Sequence, residues 1–161
     1  MASALRSLGM RAHSTAELKR KLLSKRMDPA VVSDVIGYLI DLGYLNDHDF
    51  TRQFVEYGFR RKLWGAFKVR ASLMERGVSK EIVDEHLCGG VVDAWERQGA
   101  REFARKRVRN QPRRDEIFLK KLTTQLTGRG FAWDIVSEVI AEIKSGDIDE
   151  GSDNEGGGEK G

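Results

Sequence analysis

Three stretches of the chain repeat one short pattern: LLSKRM at 22–27, LMERGV at 73–78 and LTGRGF at 126–131. Each begins with leucine, has a basic residue at its fourth position and ends on an apolar residue. The fifth position is Gly77 or Gly130 in two of them, where glycine is typical of a helix stop, and Arg26 in the other. Apolar residues continue in step after each stretch, and the spacing between stretches is close to 50 residues. This period indicates a tandem helical array.

Helix signals surround these stretches. Ser14 followed by Glu17 fits a capping box, in which hydroxyl and carboxylate each satisfy a free backbone N–H. Asp28 can cap a helix that starts at Pro29, and Gly43 follows its last turn. No segment alternates with the period of a strand, so the sequence predicts an all-α fold.

The repeat predicts an elongated tandem array of three three-helix units. We expect the first unit over residues 1–46, the second over 47–90 and the third over 91–144. Residues 145–161 are rich in Gly, Asp and Glu and contain one aliphatic residue, Ile148. Such a segment buries too little apolar surface to become ordered, so we expect a disordered acidic tail. It would be a solubilising tail or an electrostatic tether for a basic face.

Charge is unevenly distributed along the chain. Residues 1–144 carry 27 basic and 19 acidic side chains, whereas the tail carries one basic and six acidic ones. Within the units, the middle predicted helices (15–26, 66–76, 116–129) are basic and the closing ones (28–42, 79–88, 132–143) are acidic. If the units stack in register, the array has one basic and one acidic flank. The alternative is that the charged residues of each helix only face solvent and form no common flank.

The basic side predicts contact with a polyanion, because Lys and Arg neutralise phosphates with little sequence preference. Two clusters strengthen it, one around 60–70 and one around 101–114. Trp64 could stack on a base or fill a gap between helices, and Trp95 and Trp133 are expected to pack. The candidate binding residues are Lys19, Arg20, Arg60, Arg61, Lys62, Trp64, Lys68, Arg70, Arg101, Arg105, Lys106, Arg107, Arg109, Arg113, Arg114, Lys120 and Lys121.

Several function classes find no support in the sequence. It has no phosphate-binding glycine loop and no nucleophile elbow, so we do not expect an enzyme or a cofactor. His13, His48 and His86 lack metal-ligand spacing, so no metal site is predicted. No apolar run is long enough to cross a membrane, and no secretion signal opens the chain. Together with the single cysteine, Cys88, the lack of these two signals predicts a cytoplasmic protein.

A helix-turn-helix regulator is a serious alternative, because such units also have three helices. There, the last helix normally enters the major groove. Here the closing helices are acidic and would repel phosphates, which argues against base reading and leaves backbone contact open.

Four motifs resemble the RecX family of recombination regulators: HSxxELxxKL at 13–22, GYLNDxxF at 43–50, GAFKV at 65–69 and RGF at 129–131. Leu73 with RGV at 76–78, and ARK at 104–106, fit as well. Asn46 replaces a usual Asp and Ala66 a usual Pro. The resemblance covers about residues 4–143.

The resemblance implies a modulator of the RecA recombinase, usually an inhibitor, acting in DNA repair, recombination and the SOS response. Members of the family bind the RecA filament on single-stranded DNA and block ATP hydrolysis and strand exchange. Some bind DNA directly. We therefore expect RecA and single-stranded DNA as partners, with the protein acting as a monomer. A salt-sensitive, nonspecific nucleic-acid-binding protein that acts without RecA is the alternative.

Overall fold

The computed structural model describes residues 1–111 and 115–149, and over these residues the regular structure is helical. The α-helices are α1 Ala2–Met10, α2 Thr15–Leu23, α3 Pro29–Asp41, α4 Asp47–Glu56, α5 Ala66–Glu75, α6 Lys80–His86, α7 Gly90–Val108, α8 Glu116–Gly128 and α9 Trp133–Ser145. A π-helical turn, Tyr57–Arg61, continues α4, and a 3-10 turn, Asp147–Asp149, follows α9.

The predicted helix ends are confirmed. Ser14 caps α2 by accepting from the Glu17 N–H, and Asp28 caps α3 by accepting from two N–H groups of its first turn. The reciprocal half of the capping box is replaced, because the Glu17 carboxylate accepts instead from the Arg11 guanidinium at 2.7 and 3.0 Å. The three equivalent stops share a left-handed backbone, with φ of +79° at Gly77, +83° at Gly130 and +59° at Arg26. A side chain at such a position strains the backbone, so Arg26 is the one unfavourable stop of the three.

Three hydrophobic clusters form the interior, and each is built mainly by one group of three helices. We call α1–α3, α4–α6 and α7–α9 the first, second and third units. The fully buried side chains at their centres are Leu18, Leu22, Val32 and Leu39, then Phe59, Val69, Leu73 and Val83, and then Leu122, Leu126 and Val136. The all-α array of three-helix units is thus confirmed, while the residue boundaries of the units stay a prediction.

Two expectations need correction. The sequence predicts a disordered tail from residue 145, whereas Ser145 ends α9 and Ile148 is buried in the third cluster, because this one aliphatic side chain has apolar neighbours there. Residues 150–161 lie outside the described part. Trp133 does not pack in the interior: it is 67% exposed, at the outer edge of α8 and α9.

In the described residues, no helix has both the length and the apolar character that crossing a membrane requires.

Candidate nucleic-acid interface

The first and second units meet through side chains at their helix ends. Ser14 Oγ donates to the Arg76 carbonyl at 2.5 Å, and the Asp47 carboxylate accepts from the Thr15 N–H at 2.8 Å. Arg20, which the sequence predicts to bind a polyanion, donates to the Glu75 carbonyl at 2.9 Å. The guanidinium of Arg20 therefore contributes to this junction.

The second and third units meet through their backbones. The Gly65 N–H donates to the Arg129 carbonyl at 2.9 Å, and the Phe67 N–H donates to the Gly130 carbonyl at 3.1 Å. The approach leaves no room for side chains: a Cβ on Gly130 would lie 2.4 Å from the Lys68 nitrogen, and one on Gly65 would lie 2.1 Å from the Gly130 oxygen. Glycine is therefore required at both positions.

Glu96 strengthens this junction from α7. Gly65, which precedes α5, has no side chain with which to cap it, and the Glu96 carboxylate accepts from the N–H of Ala66 at 2.9 Å. The backbone N–H of Ala132, just before α9, also favours the charged form of Glu96. Burial raises the pKa of Glu96 above its ordinary value, and the two backbone donors oppose that rise. One buried carboxyl of α7, in the third unit, thus holds the first residue of α5 in the second unit.

The segment between α4 and α5 has an unusual backbone. It begins with the π-helical turn, a feature that is frequent at functional sites, and Leu63 then adopts a φ of +50°. Leu63 is held there because its side chain is buried in the third cluster and because Arg129 donates to the carbonyls of Lys62 (2.7 Å) and Leu63 (3.3 Å). This conformation turns Arg61 and Lys62 toward the third unit.

A groove of about 600 Å³ lies along this junction. Five of its lining residues are cations and no acidic side chain lines it, within the part of the chain that the structure describes. The lining residues are Arg61, Lys62, Leu63, Trp64, Phe103, Lys106, Arg107, Asn110 and Arg129. Because like charges converge on one concavity, the groove should attract a polyanion. We call it the basic groove.

Aromatic rings support several of these cations. The guanidinium groups of Arg129 and Arg107 lie 4.4 Å and 5.1 Å from the centre of the buried Phe103 ring. The Lys68 ammonium lies 5.3 Å from the half-buried Trp64 ring. Cation–π contact positions these charges, and the hydrogen bonds of Arg129 to the carbonyls of Lys62 and Leu63 position its guanidinium further.

A second, smaller concavity of about 280 Å³ shares Arg107 and Asn110 with the basic groove and adds Lys121. The positive surface therefore extends from the junction along α8.

The structure brings together Arg61, Lys62, Trp64, Lys106 and Arg107 of the predicted set, with Lys68 and Lys121 beside them. Other members have partners elsewhere. Arg60 pairs with Glu56 at 2.9 Å and Lys120 with Glu116 at 3.2 Å, both on the surface, where such pairs are weak. Lys106, although it lines the groove, also pairs with Glu102 at 2.6 Å.

Two arginines of the predicted set join acidic residues of closing helices. Arg70 pairs with Asp84 of α6, and Arg101 forms a fork with Glu142 at 2.7 Å and also pairs with Glu138 of α9. These closing helices thus use part of their negative charge inside their own units.

Five predicted residues lie apart from the groove or outside the description. Arg105 donates to the Ile148 carbonyl at 3.3 Å, and Lys19 and Arg109 are exposed. Arg113 and Arg114 lie outside the described residues.

Phe103, Asn110 and Arg129 line the groove but are not among the residues that the sequence predicts. Arg129 stands in the third copy of the repeat, but its equivalents Lys25 and Arg76 do not line the groove, and only the fold shows the difference.

Comparisons with known proteins agree on one family. Two family models match, described as the first three-helix domain of RecX over residues 1–39 and the second over residues 46–87. Regulatory protein RecX of Chlorobaculum tepidum is 34% identical over 85% of this chain and 83% of that protein. Regulatory protein RecX of Serratia proteamaculans is 30% identical over 89% of this chain and 96% of that protein. The crystal structure of RecX from Lactobacillus salivarius has the same fold, with a TM-score of 0.75 and 22% identity over 89% of this chain and 94% of that one.

Proposed function

The chain belongs to the RecX family of regulatory proteins, and on this basis we propose that it regulates RecA by binding the filament that RecA forms on single-stranded DNA. Binding lowers the filament's ATPase, its strand exchange and its persistence. The protein acts in the cytoplasm as a monomer and without chemistry of its own. The observation that carries the proposal is the basic groove, a concavity lined by five cations and no described carboxylate.

The basic groove contacts the phosphate backbone rather than base edges. Its cations come from the π-helical turn and its continuation, from α7 and from the end of α8, so they are held by three separate elements. Arg107 and Arg129 are fixed against Phe103, which lowers the entropy lost when they bind a phosphate. Trp64 offers an aromatic surface on which an unpaired base can stack.

The salt dependence of the binding affinity should report how many phosphates the groove neutralises. On single strands, each neutralised phosphate contributes about −0.7 to the slope of log affinity against log salt. Reversing two groove charges, Arg61→Glu with Lys62→Glu, should reduce the magnitude of this slope by about 1.4 or more. The matched control is Arg6→Glu with Lys144→Glu, which makes the same charge change at exposed positions outside the groove.

The decisive assay is the single-strand-dependent ATPase rate of RecA during titration with this protein. The wild-type chain and the control pair should lower the rate, and the groove pair should require a much higher concentration with unchanged helical circular dichroism. Equal inhibition by the groove pair would contradict the assignment to the groove. Inhibition well below one copy per RecA would indicate capping or propagated disassembly, and inhibition only near saturation would indicate occupancy along the filament.

The alternative is nucleic-acid binding without RecA, and the aromatic and cationic lining of the groove favours single strands as its ligand. Fluorescence anisotropy with a labelled oligonucleotide, bare or coated with RecA, separates the two functions. Tighter binding to the coated strand supports filament regulation. Equal binding to the bare strand, with no effect on ATPase, supports the alternative.

A further inference from the structure

The fold brings together two histidines that lie 38 residues apart in the sequence. His48 is in the first turn of α4 and His86 is the last residue of α6. The His86 Nε2 and His48 Nδ1 atoms are 3.3 Å apart, and the ring centres are 5.5 Å apart. The distance between these two histidines in the sequence does not keep them apart in the fold, because α6 packs on α4.

A carboxylate completes the cluster. Glu85 Oε2 lies 3.7 Å from the same His48 Nδ1 atom, and one ligand atom from each of His48, Glu85 and His86 falls within 4.8 Å of the others. The side chains of His48 and Glu85 are 53% and 65% exposed, so an ion can reach them from solvent.

The spacing suits a tetrahedral metal ion. Zinc binds imidazole nitrogen and carboxylate oxygen at about 2.0–2.2 Å, so two ligand atoms of a tetrahedron lie about 3.3–3.5 Å apart. The nitrogen pair already has this separation, and the carboxylate needs only a small rotation of an exposed side chain. A hydrogen bond between the two rings and an ion pair between His48 and Glu85 would explain the same contacts without a metal, so binding of an added ion has to separate the two explanations.

We propose that His48 Nδ1, His86 Nε2 and the Glu85 carboxylate form a binding site for a zinc-like divalent ion, with water as the fourth ligand. The ion would clamp the first turn of α4 to the end of α6. The neighbouring Asp47 accepts from the Thr15 N–H of the first unit, so the clamp would also steady the helix end on which that unit docks.

Cobalt(II) is the direct probe, because its tetrahedral complexes absorb visible light. The full chain, purified without a histidine tag, should take up one equivalent of Co²⁺ with visible absorption, and Zn²⁺ should displace it. His86→Ala and His48→Ala should each lower the affinity by more than about tenfold, and Glu85→Gln should weaken it less. Cys88→Ser is the control, because Cys88 is an exposed thiol two residues beyond His86.

The thermal midpoint gives a second readout, since an ion that binds only the folded chain stabilises it. Zn²⁺ should raise the midpoint of the wild-type chain and of Cys88→Ser, and should leave that of His86→Ala unchanged. Absence of stoichiometric Co²⁺ binding would overturn the proposal. So would binding that survives in His86→Ala, or binding that is lost in Cys88→Ser.

Discussion

Replacing Gly130 with alanine tests whether the backbone junction holds the second and third units together. Two effects add. The alanine must adopt a left-handed backbone conformation at φ +83°, which costs about 1 kcal/mol. Its Cβ would also lie 2.4 Å from the Lys68 nitrogen. Relieving that overlap separates the two backbone segments of the junction and loses the hydrogen bonds from the N–H groups of Gly65 and Phe67, worth about 1 kcal/mol each. We expect a total loss of about 3 kcal/mol.

Gly43→Ala is the matched control. Gly43 has a similar φ, +74°, but nothing lies within 4 Å of the position that its Cβ would occupy. It should therefore show only the conformational part, about 1 kcal/mol. The difference of about 2 kcal/mol between the variants is the contribution of the junction.

Urea denaturation followed by far-ultraviolet circular dichroism measures both free energies of unfolding. Gly130→Ala should also weaken binding of a labelled single-stranded oligonucleotide, because the basic groove is formed by both sides of the junction, whereas Gly43→Ala should not. Equal destabilisation by the two variants would refute the reasoning, since it would mean that the units separate without cost.

Substitutions at three further positions test other features. Arg26→Gly should raise the free energy of unfolding by about 0.5–1 kcal/mol, because it removes a side chain from a left-handed backbone position. Arg26→Ala keeps a Cβ there and should not raise it. Equal thermal midpoints for the two variants would contradict this expectation. Because burial raises the pKa of Glu96, the folded chain binds more protons at this carboxyl than the unfolded chain does. The free energy of unfolding should therefore decline as the pH rises from the ordinary pKa range of glutamate to the raised value. Urea titrations of Glu96→Gln should lack this decline. Burial lowers the pKa of His13, whose Nε2 is buried without a partner among the described residues. The free energy of unfolding should therefore decline as the pH falls below the ordinary pKa range of histidine. The same decline in His13→Phe would exclude His13 as its source.

Local features of this fold could be read from the sequence because they depend on neighbouring residues. The cap at Ser14, the cap at Asp28 and the stop at Gly43 each involve residues at most a few positions apart. The repeat added the unit architecture, because equivalent apolar positions recur at one spacing.

The junctions could not be read in the same way, because their partners are distant in sequence. Nothing near Leu63 indicates that its side chain belongs to the core of the next unit, and nothing near Arg129 indicates that it binds the carbonyls before Trp64. Charge counting identified the basic region, but it did not separate Arg107, which lines the groove, from Arg101, which pairs with two glutamates.

The two junctions differ in mechanical strength. The first is made by Ser14, Asp47 and Arg20 at helix ends, whereas the second adds backbone pairing, a buried carboxyl and an apolar anchor at Leu63. A chain pulled from its ends should therefore extend in two steps, with the first unit detaching at low force. The remaining two units, which carry the basic groove, would then behave as one stiff body that keeps its shape under load.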